Sequence, residues 1–60
     1  MSNKLEYNQK AIGSVVRVVE PHKEPWVGEI LEAIDEDYFR IKDELGQDRK
    51  VDIFNVRSLE

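Results

Sequence analysis

Between Gly13 and Pro21, four of five consecutive residues are valines, Val15, Val16, Val18 and Val19, with Arg17 between the two pairs. β-Branched side chains crowd a helix and suit a pleated strand, so residues 14–20 read as a strand stopped by glycine at one end and proline at the other. Side chains alternate faces along a strand. Val16 and Val18 are therefore expected inward and Arg17 outward, with Val15 and Val19 on the outer face.

The rest of the chain repeats this pattern at short intervals. Pro21 and Pro25 make residues 21–25 a loop, since proline cannot donate to a central ladder. Residues 27–34 read as a second strand, with Gly28, Ile30 and Ile34 on one face and Leu31 and Ala33 on the other. Apolar residues on both faces predict a bulge or strong bend. A competing helix over residues 29–37 is short and uncapped. Asp35, Glu36 and Asp37 form a turn. Residues 38–42 alternate with Phe39 and Ile41 inward. Gly46 marks a tight turn because it adopts φ > 0 without strain. Residues 49–54 place Val51 and Ile53 inward. Asn55 opens a single helical turn, and Val56 to Leu59 form a last strand with Val56 and Leu59 inward. Met1 to Lys10 has no periodic pattern and reads as a flexible tail. The expected organisation is a tail over residues 1–11 and an all-β, five-stranded open barrel over residues 12–60.

Three segments resemble the SH3-like small barrels, including KOW-like and Tudor-like domains and accessory subunits of photosynthetic complexes. They are Gly13-Ser14-Val15-Val16-Arg17-Val18 as an opening strand, Trp26-Val27-Gly28-Glu29-Ile30 as a second strand, and residues 51–59 as a final strand, helical turn and closing strand. The resemblance implies a fold and a range of binding roles. KOW domains are usually basic and carry glycine where this chain has Pro21, so a KOW-type activity does not transfer.

Composition narrows the chemistry. A domain of this size buries only about 60% of its unfolded surface, and small domains often rely on disulfides or metals. With no cysteine and a lone histidine, His22, neither disulfides nor a Cys/His zinc site is available. Absent cysteine fits a cytoplasmic protein, and no apolar run reaches membrane-spanning length. A net charge of −4 disfavours a phosphate-gripping protein, although nucleic acid stays the alternative partner. No combination of acid, base and nucleophile can be assembled, and no cofactor is implied. The expectation is a non-catalytic monomer that docks on a larger protein.

Candidate binding residues are Trp26, Tyr38 and Phe54, because aromatics at strand ends supply rigid contact area. Trp26 is expected at an exposed rim, where its truncation costs under about 1 kcal/mol. As a core cap it would cost about 3–5 kcal/mol. His22 is the one group that ordinarily titrates near neutrality, and its simplest reading is a solvated loop histidine. Arg17 and Arg40, with Arg49, Lys50 and Arg57, are expected on outward faces, where cross-strand ion pairs are the plain explanation. Asp35, Glu36, Asp37, Asp43 and Glu44 are acidic enough to attract a hard cation, but their spacing fits no EF-hand loop and a solvated turn explains them.

Overall fold

A computed structural model describes residues 4–59. Met1 to Asn3, which begin the expected tail, and Glu60 lie outside the described residues. The elements are a helix α1 (Lys4–Gln9), strands β1 (Val15–Val18), β2 (Trp26–Ala33), β3 (Tyr38–Lys42) and β4 (Asp48–Asp52), a 3-10 turn (Ile53–Asn55) and strand β5 (Val56–Ser58). The strands form one antiparallel sheet in the order β4-β3-β2-β1-β5.

Three hairpins in succession build most of this sheet, and β5 returns to pair with β1. Val16, Val18, Ile30, Ala33, Phe39, Ile41 and Val51 form the buried core, with Ala11, Trp26, Ile53 and Val56 packed against it. Burying such an aliphatic or aromatic side chain stabilises by about 1.5–3 kcal/mol. The inward alternation expected for β1 and β3 is present.

The bulge in β2 is also present, and it moves one side chain. Ile30 pairs with Ile41 and Glu32 with Arg40, so Leu31 is an extra residue on β2. One extra residue inverts the parity beyond it. Ala33 therefore enters the core, and Ile34, expected there, is 40% exposed. Leu59, also expected inward, is 48% exposed beyond the end of β5. Ile53 is only half-buried because β4 ends at Asp52, whose carboxylate accepts from the Phe54 amide at 2.9 Å and starts the 3-10 turn.

Where an unpatterned tail was expected, Lys4–Gln9 is helical. Six residues are too few to show amphipathic periodicity. The helix is anchored by Asn8, which is buried and donates from Nδ2 to the Glu36 carbonyl at 3.3 Å. Two further bonds tie the segment that follows to β2: Gly13 N–H donates to the Ile30 carbonyl at 2.8 Å, and Ile30 N–H donates to the Ser14 carbonyl at 2.9 Å.

Candidate functional site: the groove beside Trp26

Trp26 opens β2 directly opposite Val18, so it lies on the core side of the sheet. Its ring rests over Gly28. A Cβ built on Gly28 would meet the Lys42 carbonyl oxygen at 2.5 Å, Ile41 Cγ2 at 2.6 Å and Trp26 Cζ3 at 2.9 Å. Glycine here lets the indole and β3 approach the same backbone. Trp26 Nε1–H donates to Glu20 Oε1 at 3.0 Å, which fixes the ring against the end of the β1–β2 loop.

The uncovered side of the indole faces a groove of about 410 Å³ between that loop and the β3–β4 turn. Glu20, Lys23 and Glu24 line one wall, and Asp43, Glu44, Leu45 and Arg49 the other. Asp43 organises the second wall. Its Oδ1 accepts from the Leu45 and Gln47 amides at 2.9 Å each, and its Oδ2 accepts from Arg49 Nε at 2.7 Å. The Arg49 guanidinium, followed by the Gln47 amide, holds the Asp43 carboxyl below its ordinary value of 3.8. Gly46 closes the turn with φ 82, donating to the Asp43 carbonyl at 3.0 Å. The turn so fixed presents Leu45 at 82% exposure. An aromatic edge, an exposed leucine and an acid-rich rim suit an extended polypeptide with apolar and basic side chains.

Of the binding residues expected from sequence, only Trp26 lines this groove; Asp43, Glu44 and Arg49, read there as a solvated turn and an ion-pairing cation, line it too. His22 is exposed in the β1–β2 loop with φ 63, a conformation that few non-glycine residues adopt. Tyr38 starts β3 on the outward face, with Lys50 Nζ 4.4 Å from its ring centroid. Phe54 projects from the 3-10 turn at 76% exposure. Arg40 is taken up by Glu32 at 3.1 Å and Asp48 at 2.6 Å. Arg17 lies outward on β1. Arg49 is a correction: register places it opposite Ile41, hence on the core side, at the rim beside Trp26.

Leu45 and Glu20 were missed from sequence. Leu45 had a signal, since an apolar residue inside an acidic turn has no core to enter. Glu20 had none, because its bond depends on the loop's path. The acidic cluster serves the turns: Asp35 Oδ1 accepts from the Asp37 and Tyr38 amides at 2.8 and 3.0 Å, as Asp43 does in its own turn. Among the described residues no three His, Cys, Asp or Glu side chains are grouped to hold a metal ion. No described helix is long and apolar enough to cross a membrane. Comparison with protein-family models, curated proteins and solved structures finds no match to this chain.

Proposed function

We propose that this chain is a small, non-catalytic docking module of the SH3-like open-barrel type, which receives a segment of a larger protein in the groove beside Trp26. The barrel reading is supported by the strand order, by the long bulged β2 and by the 3-10 turn before the closing strand. The observation that carries the docking role is the pairing of a fixed indole with a leucine that the β3–β4 turn holds out to solvent. Both walls are pre-formed by hydrogen bonds, which reduces the ordering cost of binding.

The alternative, a KOW-like nucleic-acid binder, has weaker support. Of the outward cations of β3 and β4, Arg40 is engaged by two carboxylates and Lys50 by an aromatic ring, which leaves Lys42. One unpaired lysine on these two strands, among the described residues, is less than the continuous basic track a phosphate backbone requires.

A photo-crosslinking residue at Leu45 tests the docking role, with His22 as the control position outside the groove. The expected result is an adduct with one protein from position 45 and none from position 22. The crosslinked segment, made as a peptide, should then shift the emission of Trp26, the chain's single tryptophan. Binding that leaves Trp26 emission and its Nε1–H resonance unchanged removes the groove from the function.

A further inference from the structure

Ion pairing is unevenly distributed over the outer face of the sheet. On β1 and β5, register sets Arg17 directly opposite Arg57, and both are exposed. Opposed residues in an antiparallel pair lie about 4.5–5.5 Å apart at Cα, and like charges so placed repel. Among the described residues neither arginine has a carboxylate within 4.0 Å. Glu29 lies opposite Val15 and Lys42, diagonal to Arg17, and pairs with neither cation.

The two guanidiniums are not equally loose. Arg57 Nη1 donates to the Phe54 carbonyl and, at 3.2 Å, to the Val56 carbonyl. A guanidinium has five N–H donors, so its Nε and Nη2 remain for a ligand. The Arg17 side chain bonds to no other described residue and has all of its donors available. Two arginines on adjacent strands suit one oxyanion, since each presents a planar fork that matches a carboxylate. Apolar surface surrounds them: Val15 is 52%, Val19 37% and Phe54 76% exposed.

We propose that the Arg17–Arg57 pair, with Val15, Val19 and Phe54 beside it, binds an extended segment of a partner protein that carries a carboxylate between apolar side chains. A single bridging anion relieves the repulsion between the arginines, and the apolar rim adds contact area. The limited number of free cations and the net charge of −4 favour one acidic side chain over a run of phosphates. This surface points away from the core-side groove of Trp26, so either surface can fail without the other.

The test uses the full chain, ¹⁵N-labelled, titrated with the capped peptide Ser-Val-Glu-Val-Ser, its glutamine counterpart, and oligouridylate. The acidic peptide is expected to shift the Nε–Hε resonances of Arg17 and Arg57 and the amides of β1 and β5, leaving the Trp26 Nε1–H in place. Arg17→Gln and Arg57→Gln should each weaken binding by about tenfold, the scale of one charge-assisted contact. Arg17→Gln should melt no lower than the wild type, which separates loss of binding from loss of fold. The proposal is overturned by equal shifts with the glutamine peptide, by no shifts at about 1 mM acidic peptide, or by tighter binding of oligouridylate through the same arginines. Concentration-dependent self-association that produces the shifts without peptide also overturns it, since the occupant is then a second copy.

Discussion

Two stretches of the same sheet treat arginine differently. Across β2, β3 and β4, Arg40 bridges Glu32 and Asp48, and Arg49 is held by Asp43. Across β1 and β5, Arg17 faces Arg57 with no carboxylate between them. Residue type is the same, and cross-strand neighbours make the difference. The β3–β4 hairpin uses its charges to fix a turn and to blunt an exposed sheet edge, where unpaired backbone would otherwise recruit another strand. The β1–β5 seam leaves its arginines without a carboxylate partner, and an arrangement that costs stability at the surface is where a ligand is to be sought.

The largest expected effect falls on the well-packed stretch. Gly28→Ala puts a Cβ 2.5 Å from the Lys42 carbonyl oxygen, a backbone atom with no easy escape. Separating β2 from β3 should destabilise by about 3 kcal/mol, the upper end for overpacking, and move Trp26 emission. Chemical denaturation measures both changes. A neutral outcome would show that the two strands slide freely. Trp26→Ala ranks next. The indole is half-buried and bonded to Glu20, so a loss of about 2–3 kcal/mol is expected, below the range for full burial. This revises the sequence expectation of under about 1 kcal/mol. Trp26→Phe keeps the packing over Gly28 and should recover most of that loss.

Asp43→Asn tests the turn through pH. The wild-type carboxyl titrates below its unfolded value, so it stabilises the fold above that value and ceases to do so as pH falls through the folded one. Wild type and variant should therefore differ at pH 7 and converge in strong acid. A constant gap in denaturant midpoint across the range would mean that the charge contributes nothing beyond the hydrogen bonds. The smallest effects sharpen the arginine contrast itself. Arg40→Gln should lower the midpoint slightly at low salt and less at high salt, as exposed pairs do. Arg17→Gln should leave it unchanged or raise it. Equal losses from both would erase the distinction between the two stretches.

Strand positions were legible because valine, isoleucine and phenylalanine alternate with polar residues between clear breakers. The bulge was legible from apolar residues on both faces of β2. Its exact position was not, since Leu31 as the extra residue is set by pairing with β3. That uncertainty exchanged Ala33 for Ile34 in the core. Helix α1 escaped notice because it is too short to show a periodic pattern, and the Asn8 to Glu36 bond that anchors it joins residues far apart in sequence. As a binding site the groove was legible only at Trp26, since Asp43, Glu44 and Arg49 read as a solvated turn and an outward cation. The wall opposite depends on how the hairpin folds back, and the Arg17–Arg57 pair on a register between residues forty positions apart.

That last register bears on the order of assembly. The hairpins β1–β2, β2–β3 and β3–β4 close short loops, whereas β5 meets β1 only after almost the whole chain has been arranged between them. Non-local closure is slow and entropically costly. β5 is three residues long and should open first, so its amides are expected to exchange hydrogen faster than that of Ile41. The oxyanion fork exists only while this seam is shut. A ligand that spans Arg17 and Arg57 therefore binds the closed form alone and favours it by mass action, acting as a clasp between the first strand and the last.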